Sequence, residues 1–229
     1  WPPAVLPRTP PPNAEENLFF TPPAGPYALP GRYQVTMALR VRGELRTVAG
    51  PMPFTVVPDP LSPTTPDDRK TLSTFLHQAL ALERAVTGAL EVATQTKARV
   101  DAMKLAVEAA PRATTAMKSE ARRIERDIAS LLVDLRGDTA LASRNINVPL
   151  SIVDRVNSIE DDLGSSIARP TQTSRMAYEI AAADFERVLS RLRTLVERDV
   201  TALDKQLEGA GAPWTPGRLP EWKRGSEPR

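Results

Sequence analysis

The sequence predicts an α+β, mainly α fold: a small partial β-sandwich strand module, then a long antiparallel helical bundle and a Pro/Trp tail. Alternation of apolar and polar residues over 33–41, and again over 52–56, is typical of strands. Apolar residues spaced three and four apart over 66–209 indicate amphipathic helices, and prolines cluster near the two ends. The expected segments are a proline-rich extended segment at 1–30, the strand module at 31–58, a linker at 59–65, the bundle at 66–209 and the tail at 210–229.

Composition excludes several classes of protein. Of the 229 residues, 41% are hydrophobic but only 5% are aromatic, so any core consists mainly of Leu, Val, Ile and Ala. A net charge of +2, from 30 basic and 28 acidic residues, does not supply the electrostatic footprint of a nucleic-acid-binding protein. The absence of cysteine excludes disulfides and cysteine-ligated zinc. No stretch approaches about 18 consecutive apolar residues, so membrane insertion is not expected.

The first 30 residues contain too many prolines for a helix and favour extended, polyproline-like chain. Phe19, Phe20 and Tyr27 within this segment suggest that it lies against an apolar surface. A disordered linker is the alternative.

The next segment predicts three strands. Tyr33, Val35, Met37, Leu39 and Val41 alternate with mostly polar residues and indicate a half-buried first strand. A tight turn at Arg42-Gly43 leads into a second strand at 44–48, and a third follows at 52–56 after the Gly50-Pro51 break. Three strands with one apolar face resemble part of a β-sandwich. They are too few to close one, so further strands must come from residues 1–30 or from a piece upstream.

The first helix has clear start and stop signals. Thr65 suits the N-cap, Pro66 the first helical position, and Asp67 and Asp68 place negative charge at the positive end of the helix dipole. A heptad seam of apolar residues continues to about residue 109, and Pro111 ends the helix. The expected helices are about 66–109, 112–136, 148–168 and 172–208.

The helix lengths favour three helices across, with the middle one broken near residues 138–147. Gly137 is a natural C-terminal cap of the second helix, and Asn147 is a candidate N-cap of the third. An up-down-up-down four-helix bundle is the alternative.

No group of residues in the sequence forms a recognisable reaction centre. His77 is the only histidine and has no candidate nucleophile near it in the sequence. The paired carboxylates Glu15-Glu16, Asp67-Asp68 and Asp161-Asp162 fit solvated or helix-capping roles better than catalysis. We therefore expect a protein that is not an enzyme, with no catalytic, cofactor-binding or metal-binding residues.

Two features are candidates for protein interaction. Trp214 and Trp222 make the tail more apolar than a solvated chain end usually is. We expect them to pack on the rest of the chain or to anchor a partner. Lys118, Arg122 and Arg126 lie at i, i+4 spacing on one helical face. This stripe is able to meet an acidic partner, although interleaved glutamates favour a solvated face with local ion pairs.

Four short motifs occur in an order that resembles a known family: Pro30-Gly-Arg-Tyr-Gln-Val-Thr-Met, Phe54-Thr-Val-Val-Pro-Asp-Pro, Asn147-Val-Pro-Leu-Ser-Ile and Gly211-Ala-Pro-Trp-Thr-Pro-Gly-Arg-Leu-Pro-Glu-Trp. Over roughly residues 25–222 the chain resembles the C-terminal region of large bacterial sortilin-like, BNR-repeat β-propeller proteins that are exported and often labelled glycosyl hydrolases. The resemblance implies an Ig-like strand module and a helical region downstream of propellers. The propeller repeats are absent from this chain, so no active-site residue carries over.

The leading hypothesis is a non-catalytic C-terminal module of a larger exported β-propeller protein, with intramolecular packing or subunit assembly as its role. Its partner would be protein, either the propeller domains of the same precursor or another subunit, and its location extracytoplasmic. The first residue, Trp1, predicts a processed product or a fragment. One alternative is a free-standing helical subunit of an envelope complex. Another is an accessory region of a glycoside-processing enzyme whose active site lies upstream.

Overall fold

The structure is a computed structural model that describes residues 28–144, 146–164 and 167–218. It confirms an α+β, mainly α fold, with a small antiparallel sheet followed by helices. The described residues belong to two compact units: unit 1 contains residues up to 80 together with 160–172, and unit 2 contains 81–159 together with 173 onward. The elements are β1 (Gly31–Val41), β2 (Glu44–Val56), α1 (Pro66–Ala109), α2 (Thr115–Arg136), α3 (Thr139–Ala142), α4 (Ile152–Gly164), α5 (Gln172–Thr194), a π turn (Leu195–Val200) and α6 (Thr201–Gly209).

In unit 1, β1 and β2 form an antiparallel hairpin, and the prediction of three strands is wrong. The tight turn lies where it was predicted, with positive φ angles of 51° at Arg42 and 89° at Gly43. The expected break at Gly50-Pro51 is instead an irregularity inside one continuous strand. The register shifts on either side of Met37, because β2 has more residues than β1 over this stretch. The extra residues of β2 form bulges, and pairing with β1 continues beyond them.

The start of α1, also in unit 1, has the predicted capping arrangement. The Thr65 hydroxyl accepts the Asp68 amide at 3.1 Å, and the Asp68 carboxylate accepts the Thr65 amide at 3.0 Å. Arg169 donates to both Asp67 and Asp68. The hydrogen bonds from Thr65 lower the pKa of Asp68 below its ordinary value, and Arg169 lowers this pKa further. The helix therefore begins at Pro66, as its sequence signals indicate.

Unit 2 is a helical bundle around one apolar core. Lys104 and Lys118 reach Glu125 and Glu108 respectively, so α1 and α2 run antiparallel. The fully buried side chains include Met103 and Val100 of α1, Ile124, Ile128 and Leu135 of α2, and Leu203 and Leu207 of α6.

The third rod of unit 2 is the continuous helix formed by α5, the π turn and α6. Arg123 of α2 pairs with Asp199, and Asp134 of α2 pairs with Arg191, so this rod also runs antiparallel to α2. Gly137 caps α2 as predicted, with φ 82° and its amide donating to the Val133 carbonyl at 2.8 Å.

The break that was predicted near residues 138–147 follows α2. It contains the four-residue helix α3, and α4 begins at Ile152. The prediction of Asn147 as the cap of this helix is wrong, because Ser151 takes that role: its hydroxyl accepts the Asp154 amide at 3.1 Å. A Cβ added at Gly137 would lie 3.7 Å from the Ser151 side chain, so α4 starts close to where α2 ends.

Candidate interaction surfaces

One face of the hairpin is apolar and open. Residues that pair directly across the two strands share a face, so the register fixes its membership. Tyr33 and Phe54 stack there, with ring centroids 5.7 Å apart. We call its apolar residues the apolar sheet face: Tyr33, Val35, Met37, Leu39, Val41, Ala49, Met52 and Phe54. Near the turn, Arg46 and Glu44 lie on the same side, opposite Leu39 and Val41.

The side chains of the apolar sheet face are strongly exposed. Exposure runs from 36% at Tyr33 to 65% at Met37, whereas the core of unit 2 contains many side chains near 0%. Isolated exposed apolar residues are ordinary, but a contiguous patch is typical of an interaction site. A two-stranded hairpin is also marginally stable unless something packs against it. The face therefore has the properties of a surface that another layer covers.

The opposite face of the hairpin is mainly polar. Arg32, Gln34, Thr36 and Arg40 alternate with the apolar residues of β1, and Thr55 lies across from Arg32. This contrast is typical of a sheet with one face packed and one face in solvent. The two faces of β1 therefore differ in polarity, although β2 adds Leu45 to the polar face, opposite Arg40.

The tail places its predicted anchor, Trp214, at the surface of unit 2. Trp214 is 60% exposed, and its indole N–H donates to the Arg218 carbonyl at 2.6 Å. The next residue, Thr215, is buried, and Gly217 lies against the Arg99 guanidinium, where an added Cβ would be 3.1 Å from the nearest atoms. The tail is therefore seated on the helices while its tryptophan faces outward. Trp222 lies outside the described residues.

The predicted basic stripe divides into a paired and an unpaired part. Lys118 forms an ion pair with Glu108. Arg122 and Arg126 are exposed, and no ion pair within the described part of the chain involves either of them. The structure thus leaves two guanidinium groups of the stripe open to solvent, on α2 of unit 2.

The more extensive charge network involves Arg123, which the sequence did not single out. Arg123 contacts Glu120 at 2.6 Å, Asp127 at 2.7 Å and Asp199 at 2.7 Å. Asp199 lies in the π turn, and only 10% of its side chain is exposed. Hydrogen bonds from Arg198 and then Arg123 lower the pKa of Asp199, against the opposing effect of burial. Since each buried charge has a partner, the network fits a structural tie between α2 and the π turn.

His77 places its Nδ1 2.6 Å from the Ser73 carbonyl, one helical turn earlier. No group of three or more His, Asp or Glu side chains in the described residues is arranged to hold a metal ion. A shallow depression is lined by residues of α5 and the π turn, namely Glu186, Leu189, Ser190, Arg193, Thr194, Glu197 and Arg198.

The helices in the described ranges lack an apolar stretch of the length that a bilayer requires. In comparisons with known proteins, no family model, no curated protein and no solved structure matches this chain. Among the described surfaces, the apolar sheet face is the most extended exposed apolar patch of the hairpin.

Proposed function

We propose that this chain is a non-catalytic interaction module whose apolar sheet face packs against a second protein layer. That layer belongs to the upstream part of the same exported β-propeller precursor, and the extracytoplasmic location follows from the same resemblance. The observation that supports the proposal is the exposure of the apolar sheet face on a hairpin whose other face is polar. An Ig-like sandwich completed from upstream would bury this face in its core.

The energetics favour such an arrangement. Moving a large apolar side chain from half-exposed to buried contributes roughly 1 kcal/mol. Tyr33, Val35, Met37, Met52 and Phe54 lie side by side on the face, so covering them would add several times that amount. This is comparable with the whole stability of a small domain, which is about 5–15 kcal/mol.

Two other functions predict a different source for the covering layer. A free-standing subunit of an envelope complex would receive it from a separate polypeptide. An accessory region of a glycoside-processing enzyme would receive it from the same polypeptide and would alter the activity of an upstream active site. Intact-mass measurement of the natural protein distinguishes the first of these from our proposal, because a precursor several times larger than this chain is expected only for a module.

Site-specific crosslinking tests the proposal directly. A photo-crosslinking amino acid is placed at Met37, on the apolar sheet face, and the natural protein is irradiated in its own cells. The matched control carries the same group at Gln34, which is exposed on the opposite face of β1. We expect crosslinks from position 37 to upstream residues of the same polypeptide and few from position 34. Equal crosslinking at both positions, or none at position 37, would contradict the proposal. Fractionation of the same cells tests the extracytoplasmic location.

A further inference from the structure

The two free edges of the hairpin differ in their hydrogen-bonding capacity. The described sheet contains β1 and β2 alone, so each strand has one edge without a neighbour in that part of the chain. β2 carries Pro51 and Pro53, which have no amide proton to donate to a further strand. β1 has no proline between Gly31 and Val41. Prolines are a usual means of protecting an edge from pairing, so the edge of β1 is the one left open.

Two positively charged side chains lie beside the open edge of β1. Arg32 and Arg40 are exposed on the polar face of β1, and neither forms an ion pair within the described ranges. Between residues 28 and 57 the sequence has four arginines against one glutamate. A strand that pairs with β1 would therefore place its polar side chains next to unpaired positive charge.

A second copy of this chain is a poor occupant of that edge. If two β1 strands paired antiparallel about Thr36, Arg32 would lie opposite Arg40 of the other copy. If they paired about Met37, Arg32 would lie opposite Arg42 of the other copy. Like charges directly opposite each other destabilise a strand pair, so the charge pattern disfavours a dimer in these two central registers.

We infer that the free edge of β1 receives a third strand by β-strand addition, from a segment with apolar side chains on one face and Asp or Glu on the other. The inference rests on the proposed function, because this strand would come from the layer that covers the apolar sheet face. Its apolar side chains extend that face, and its carboxylates meet Arg32 and Arg40. Backbone hydrogen bonds provide affinity in this type of recognition, and the side chains provide specificity.

Peptide binding to the full 229-residue chain tests the inference. The probe is a short synthetic peptide of alternating glutamate and valine, and the matched control replaces each glutamate with lysine. We expect the glutamate peptide to slow exchange most at the β1 amides that point away from β2, with a smaller effect in β2. Because opposite-charge pairs across strands contribute roughly 0.2–1 kcal/mol each, two such pairs predict about tenfold tighter binding of the glutamate peptide.

The double charge reversal Arg32→Glu with Arg40→Glu provides a second test on exposed positions, where folding should be unaffected. We expect it to reverse the preference, so that the lysine peptide binds more tightly. Protection of β2 instead of β1, equal binding of the two peptides, or no reversal would overturn the inference. So would protection, in the chain alone, of the β1 amides that point away from β2, because residues 1–27 or a second copy would then fill the edge. Crosslinking at Met37 is independent of these charges, so the inference and the proposed function can fail separately.

Discussion

Replacing Gly50 with alanine should abolish pairing between β1 and β2. Gly50 has φ +93°, and an added Cβ would lie 2.5 Å from the Val35 carbonyl oxygen and 2.9 Å from the Thr36 Cα. The left-handed conformation costs a non-glycine residue roughly 1–2 kcal/mol. The overlap with backbone atoms, which cannot rotate away, adds about 1–3 kcal/mol. A two-stranded hairpin has little stability from which to lose this amount.

Gly43→Ala is the matched control. Gly43 has φ +89°, but a Cβ added there meets no atom within 4 Å, so only the conformational term of roughly 1–2 kcal/mol applies. We expect amide exchange in β1 and β2 to become much faster in Gly50→Ala than in Gly43→Ala. Helix content and the unfolding of unit 2, followed by circular dichroism, should be unchanged in both. Equal effects of the two substitutions would refute the steric reasoning.

Three further predictions concern unit 2. Leu203→Ala should lower the free energy of unfolding by about 3 kcal/mol, because Leu203 is fully buried. Leu105 is 75% exposed, so Leu105→Ala should lower it by less than about 0.5 kcal/mol. Denaturant titrations measure both values. Ser151→Ala should cost about 1 kcal/mol through loss of the cap of α4, and Ser158→Ala, at an exposed position inside that helix, should not. Because the pKa of Asp199 is lowered in the fold, its contribution is present above the unfolded pKa and is lost as the pH falls below about 4. Asp199→Asn should therefore weaken the acid dependence of unfolding, and an unchanged pH profile would count against the network.

Two helix boundaries were predictable from local capping signals. Thr65 and Pro66 mark the start of α1, Gly137 marks the end of α2, and each signal lies within one turn of the boundary it sets. Asn147 shows the limit of such reasoning. It is an acceptable capping residue, but the helix starts later, at the residue where Ser151 and Asp154 bond reciprocally.

Features that depend on distant contacts were not predictable. The apolar rhythm of residues 172–208 shows no sign of the π turn, whose Asp199 is held by Arg123 from another helix. Gly50-Pro51 resembles a strand break in sequence, and only the pairing with β1 shows that the strand continues. Alternation identified the apolar side of the strands, but a sequence pattern carries no information about what covers that side. The outward orientation of Trp214 likewise depends on how the tail is seated.

The two units differ in how far their apolar side chains are buried. In unit 2 the apolar side chains of three rods pack on one another and form a buried core. The hairpin of unit 1 is the opposite case, because Val35, Met37 and Met52 remain more than half exposed. A partner that binds the hairpin should therefore slow amide exchange in β1 and β2 and leave exchange in α2 and α6 unchanged. If a partner instead protected α2 first, the exposed Arg122 and Arg126 would become the better candidates for the interaction surface.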